Sequence, residues 1–230
     1  METRQMLELR MLGGVELKAA EDEPAAILAH PKCFALLVYL AAARPFGGHR
    51  RDTLVGMLWP ELDQEHARSA LRKTLHRLRR IIGAEAIVTT GDDTISLSPS
   101  ALWCDVRAFD SAVRAGLVAD ALLLYRGHLL PGVFLPDAPE FEHWLDNERR
   151  ALRASAARAA WLAADDAERA GNIVDGVTLA RRAVDLAPDD EHGARRLIAS
   201  PPCSMARYHA RRGVERSSDW LQAQVARWSL

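Results

Sequence analysis

The 230 residues are enough for one large or two ordinary domains, each with its own core. Lys and Arg number 30 against 31 Asp and Glu, a net charge of -1, so whole-chain basicity is excluded as a source of anion affinity and only local segregation of charge can supply it. Cys33, Cys104 and Cys203 are scattered without CxxC spacing, against a disulfide framework or zinc cluster, and neither a leader pattern nor a membrane-length apolar run is present, so a soluble cytoplasmic protein is expected.

In chain order, Met6 to Leu12 and Val15 to Lys18 read as short strands about the turn pair Gly13–Gly14. Those glycines lack the GxGxxG or Walker context of a phosphate loop. Pro24 to Leu28 can add a third strand after the acidic turn Glu21-Asp22-Glu23. Pro31 opens a helix, with Phe34, Leu37, Val38 and Ala41 on one side, that stops near Pro45 ahead of Gly47–Gly48. A second helix spans about Arg51 to Leu58, with Leu54, Val55 and Leu58 inward and Asp52 in its first turn. The connection Trp59-Pro60-Glu61-Leu62 follows.

From Asp63 to Ile82 the chain reads DQEHARSALRKTLHRLRRII. Ala67, Ala70, Leu71, Thr74, Leu75, Leu78, Ile81 and Ile82 fill one helical stripe, and Asp63 is placed to cap the N-terminus just beyond Pro60. The other side carries Ser69, Arg72, Lys73, His76, Arg77 and Arg80, with Arg68 and Arg79 at its margin. Between Arg68 and Arg80 stand six Arg or Lys and no acid. A solvated helix face ordinarily mixes signs, because opposite charges at i,i+4 attract and like charges repel. A one-signed row points instead to an external anion, and DNA phosphate fits a helix of this length.

After Gly83 the sequence IVTTGDDTISL reads as a hairpin, β-branched on both sides of Gly91-Asp92-Asp93. Strands, three helices and a hairpin in this order make a winged helix, whose third helix enters the major groove. From Asp105 onward only helix is expected: Val106, Phe109 and Val113 on one segment, Ala121, Leu122 and Tyr125 on another. A structured loop over Gly127–Pro139 carries Leu129, Leu130, Val133, Phe134 and Leu135, and a long helix follows with Phe141, Trp144, Leu145, Leu152, Ala156, Ala160 and Ala163. Ala157 to Pro188 has the length and small-residue spacing of a tetratricopeptide unit, with Gly176 where Ala is usual. Ala199-Ser200-Pro201-Pro202-Cys203 then halts a helix, ahead of a basic stretch and a possible terminal helix around Trp220–Trp228.

The runs LGGVEL, KCFALLVYLA, RRDTLVGMLWPE, ARSALRKTLHRLRR and the hairpin resemble the DNA-binding half of the SARP-type bacterial transcriptional activators, whose winged helix is similar to that of the OmpR/PhoB response regulators. DVRAFDSAV, ALLLYRGHLLPG and FEHWLDNERRAL resemble the bacterial transcriptional activator domain that follows it in that family. The likeness covers roughly residues 5 to 197. It implies a mainly α protein with a small β component: a winged helix-turn-helix domain over 1–103, an all-α tetratricopeptide-like domain over 104–198 and an atypical tail over 199–230.

The resemblance also implies roles. Arg72, Lys73 and Arg77 would face base edges; Ser69, His76, Arg79, Arg80, Arg50, Arg51, Thr89 and Thr90 would meet phosphate; and Trp59, Glu61 and Asp63 would line a loop facing RNA polymerase, although for Trp59 a place in the core is the stronger reading. The implied partners are double-stranded DNA in direct repeats, RNA polymerase and a second copy bound head to tail. No cofactor or membrane is implied. The hairpin departs from the family pattern, since Asp92 and Asp93 stand near a tip where relatives carry a basic residue, leaving threonine hydroxyls as donors. No metal-pair, GxSxG or Cys–His signature supports an enzyme. The alternative is a repeat-based protein-binding adaptor that has lost its DNA site.

Overall fold

The structure, a computed structural model, describes residues 7–18, 27, 29–91 and 93–199. Among them the chain is mainly helical, with eight α-helices and two small three-stranded sheets. The described residues divide into two compact units, one ending at Ser155 and one beginning at Ala156. The boundary expected between residues 103 and 104 falls inside the first unit.

In the first unit, strands β1 (Leu7–Arg10) and β2 (Glu16–Lys18) pair antiparallel, and β6 (Leu102–Cys104) joins β1 in parallel, Leu9 opposite Cys104, in the order β2-β1-β6. Leu7 and Leu9 are buried while Glu8 and Arg10 point outward, the period-2 alternation of a strand covered on one face. The turn needs Gly13: φ is +90°, and a Cβ would lie 2.8 Å from the backbone carbon of Arg126. Of the strand expected over Pro24–Leu28, only Ile27 is among the described residues, and it is helical and buried. The expectation fails at that residue because a fully enclosed apolar side chain suits either kind of backbone, so hydrophobicity alone did not discriminate.

Helix α1 (Pro31–Ala42) is buried all round from Cys33 to Ala42, not on one side only, as a helix at the centre of a core must be. Around it lie β3 (His49–Arg50), α2 (Arg51–Leu58), α3 (Gln64–Ile82), β4 (Ile87–Thr90) and β5 (Thr94–Leu97), the strands forming a second sheet in the order β3-β5-β4. Ile87 opposite Leu97 and Thr90 opposite Thr94 fix the hairpin register. Then come α4 (Asp105–Arg114), α5 (Val118–Leu124) and α6 (Pro139–Arg169).

Two side chains at the start of α4 tie this unit together. Asp105 is 1% exposed, and its Oδ2 accepts the backbone N–H groups of Met11 at 2.8 Å and Leu12 at 2.9 Å, while burial pushes its carboxyl above the usual range. Arg107 donates from Nε to the carbonyl of Ala41 at 2.7 Å and from Nη2 to that of Leu40 at 2.9 Å, satisfying carbonyls that the last turn of α1 leaves without helical donors. Its guanidinium lies 5.1 Å from the Phe46 ring centroid.

Arg149 on α6 does the same for the loop ahead of it, donating to the carbonyls of Leu129, Leu130 and Val133 at 2.9, 2.8 and 3.2 Å and so holding Leu130 at a φ of 47°. Leu129, Leu130 and Leu135 are buried as the loop reading expects, but Phe134 is 70% exposed. Tyr39 lies between His49 and Trp144 in tilted and edge-on contacts, with ring centroids 4.9 and 4.8 Å away.

The second unit contains the remainder of α6, α7 (Ile173–Leu186) and α8 (Glu191–Ala199). Ala164, Ala180, Val184 and Leu197 form its core with Trp161 and Leu179. Arg196 pairs with Asp165 and lies 4.4 Å from the Trp161 ring centroid. A Cβ on Gly176 would come 3.1 Å from Glu168 Cγ and 3.4 Å from the Ala164 carbonyl oxygen, so α7 approaches α6 more closely there than alanine comfortably permits. The tail reading beyond Ala199 lies outside the described residues.

Arg107→Ala is expected to strand two carbonyls and lower the stability of the first unit by about 2–3 kcal/mol, read as a lower urea midpoint with unchanged m-value. A pH effect follows from His49, whose ring is held below its ordinary value of 6.5 by burial first and by the Arg107 charge second. The unfolded chain takes up a proton near pH 6.5 that the folded chain refuses, so stability is full above that pH and falls as pH drops toward the depressed value. Urea midpoints at pH 7.5 and 5.5 should show this loss, and His49→Gln should shrink it.

Candidate nucleic-acid interface

Helix α3 begins where a side chain starts it. Asp63 Oδ1 accepts the backbone N–H of His66 at 3.0 Å and Oδ2 meets the His66 ring at 2.7 Å, and the first of these contacts does most to hold the Asp63 carboxyl below its usual range. It ends at Gly83, whose φ of 103° is open to glycine at little cost and whose N–H reaches the Arg79 carbonyl. Ala67, Leu71, Leu75, Leu78 and Ile82 are buried, and Ala70, Thr74 and Ile81 flank them half-buried. Packing of the apolar stripe therefore fixes which side chains stand outside: Arg68, Arg72, Lys73, His76, Arg77 and Arg80 are all exposed.

Two of the helix's cations are engaged within the fold. Arg68 pairs with Asp52 of α2 at 3.0 Å. Arg79, half-buried, donates to the Ile87 carbonyl at 3.3 Å and to Thr89 Oγ1 at 3.0 Å. It thus fastens the hairpin to the helix, and the hydroxyl of Thr89 is the acceptor. For Arg72, Lys73, Arg77 and Arg80 no carboxylate partner occurs among the described residues. These four and His76 line an open hollow of about 780 Å³, completed by Ile81 and by His30 at the start of α1. The field of the row reaches inward as well: burial pushes the Cys33 thiol up to about 11, and Arg77 acts against that rise.

His30 is the member that sequence reasoning missed. It belongs to another element, and only the packing of α1 on α3 brings it to the row. Its one local mark is its place immediately before the helix-opening Pro31.

The remaining expected residues are spread around this surface. Ser69 and Arg51 are half-buried; Arg50, Thr89 and Thr90 are exposed. Arg50 lies 4.0 Å from the exposed Asp93 carboxylate, and the Arg51 N–H donates to the Asp93 carbonyl at 2.7 Å, so the start of α2 is tied to the hairpin turn. Asp92 is outside the described residues.

In the connection ahead of α3, Trp59 is 6% exposed and serves as a core anchor beneath Lys32, whose Nζ sits 5.9 Å from its ring centroid. A side chain so enclosed presents little surface to a partner. Glu61 and Asp63 are exposed, but Glu61 pairs with Lys32, the contact chiefly responsible for holding its carboxyl below the usual range, and Asp63 caps the helix.

No family model matches the chain, and no curated protein matches it either. Among the described residues there is no group of three or more potential metal-ligating side chains, and no helix long and apolar enough to cross a membrane. What the hollow offers chemically is a donor-rich, acceptor-poor concave surface on a packed helix.

Arg79→Ala should free the hairpin while leaving α3 intact. Backbone amides of residues 87–90 should exchange faster with solvent, with unchanged helical circular dichroism; equal exchange in the variant would show that the Arg79–Thr89 contact does not fasten the hairpin.

Proposed function

We propose that the chain is a sequence-specific DNA-binding transcriptional regulator, an activator of the SARP kind. The observation that supports it most is the row Arg72, Lys73, Arg77 and Arg80, exposed on a packed helix without a carboxylate partner among the described residues. Like charges on one helix face repel, and a duplex is the anion whose major groove, about 12 Å wide, accepts a helix with its side chains. In this reading α1 to α3 with the β4–β5 hairpin act as a winged helix-turn-helix, and α3 enters the groove.

Arg72, Lys73 and Arg77 read base edges. His76, Arg80, Arg50, Arg51, Ser69 and Thr90 lie toward phosphate, while Arg79 and Thr89 hold the wing. Arg51 and Ser69 contribute least by side chain, being half-buried. The helical repeat-like part packs against proteins, Glu61 and Asp63 face RNA polymerase, and two copies bind head to tail on direct repeats. The cell compartment in this reading is the cytoplasm.

One observation favours the adaptor reading instead. Phe134 is 70% exposed beside a hollow of about 760 Å³ lined also by Pro131, Val133, Arg150 and Arg153, a combination suited to a protein ligand. A mobility shift titrated with salt separates the two. A regulator that holds phosphate with Arg80 and Arg50 should show log affinity falling linearly against log salt, with a slope of about -0.9 for each phosphate neutralised; an adaptor should show no such dependence.

Within the regulator reading, Arg80→Ala should weaken selected and random duplexes alike and reduce the slope by about 0.9. Arg77→Ala should instead cost roughly 1–3 kcal/mol on the selected duplex and narrow its advantage over random DNA. Equal losses from both variants on both duplexes would overturn the division into base and phosphate contacts.

A further inference from the structure

We infer, resting on the DNA-binding reading, that each copy recognises a site with two guanines two base steps apart on one strand, read by Lys73 and Arg77. The argument starts from which hydrogen-bonding groups the exposed face contains. From His66 to Ile82 there is no Asn, Gln, Asp or Glu. Bidentate reading of adenine needs an amide side chain, and reading the cytosine amino group needs a carboxylate. Of the two hydroxyls in that span, Thr74 is committed to the Ala70 carbonyl at 2.9 Å and Ser69 is half-buried. What remains is a set of donors, with His76 the one side chain of the open face that can also accept, since His66 is engaged with Asp63. Guanine alone offers two acceptors, O6 and N7, side by side on its major-groove edge to receive them.

The first turn of α3 is a poor candidate for entry into the groove. Asp63 and Glu65 are exposed there, and Arg68 is already paired with Asp52. Two acids brought between phosphate walls would be repelled, which shifts the reading surface toward the middle of the helix.

Spacing sets the rest. Lys73 and Arg77 are four residues apart, hence about 6 Å along the axis and only roughly 40° apart around it. They therefore point to the same flank, at a separation close to two base steps of about 3.4 Å each on one strand. Neither has a carboxylate partner among the described residues, and both line the same hollow. Their side chains are free to extend together.

The test uses the full chain. Duplexes selected from a random pool are resynthesised with 7-deazaguanine at single positions, which removes N7 while leaving base pairing intact. Binding should fall about tenfold at two guanines two steps apart on one strand, and little at others except one whose penalty Arg72→Ala removes. Arg77→Ala should abolish the penalty at one of the two and keep it at the other. Arg77→Lys, which retains the charge and loses the fork, should preserve the salt slope and leave at that guanine a penalty no larger than the one read by Lys73.

If the selected duplex binds with steep salt dependence yet tolerates every single replacement, or if the sensitive guanines lie at another spacing or on opposite strands, the inference is overturned and the regulator reading survives. If no duplex binds even at low salt, the regulator reading falls and this inference with it.

Discussion

Two polar side chains, separated by a single residue in sequence, hold the first unit to its shape. The Asp105 carboxylate replaces water for the N–H groups of Met11 and Leu12, and the Arg107 guanidinium replaces it for the carbonyls of Leu40 and Ala41. Backbone groups of this kind cannot be enclosed without partners. Helix α1, apolar on every side, depends on such a solution, because its end lies within the unit where solvent supplies little. A fixed α1 then gives α3 the surface against which Leu71, Leu75 and Leu78 pack. The direction in which the cation row faces is thus a consequence of contacts made far away from it.

Helix α3 combines two opposite demands on one rod. Its inner side is an ordinary hydrophobic stripe; its outer side gathers like charges that raise its energy in the free protein. Among the described residues, the fold engages this row at its margins, where Asp52 takes Arg68 and the hairpin takes Arg79. Among the described residues no carboxylate meets the centre of the row. That division, with engaged flanks and a middle that meets no carboxylate among the described residues, is why the proposed role rests on the middle residues.

Features set by short-range rules were legible in the sequence. Asp63 as a cap, the stripe from Ala67 to Ile82, the Gly13–Gly14 turn and the hairpin around Gly91 all follow from neighbours within a few positions, and the helix runs from Gln64 to Ile82 as its periodicity indicates. Two of the shortest strands were not legible. His49–Arg50 and Leu102–Cys104 carry no alternation long enough to detect and become strands only because β5 and β1 offer them partners. The same reason hid His30 beside the cation row and Arg79 bound to Thr89. A guanidinium looks alike in sequence whether it faces solvent or a carbonyl. Trp59 was legible as an anchor from its size, and its burial under Lys32 agrees with that simpler role.

The bare centre of α3 also bears on how such a surface persists through mutation. A glutamate placed one turn from Arg72 or Lys73 would strengthen the isolated helix by roughly 0.2–0.5 kcal/mol through i,i+4 attraction. Random change screened for robustness alone would therefore drift toward salt-bridged monotony on this flank. A chain that keeps the flank one-signed forgoes that gain, and a variant library sorted by thermal endurance without ligand would erode the feature first.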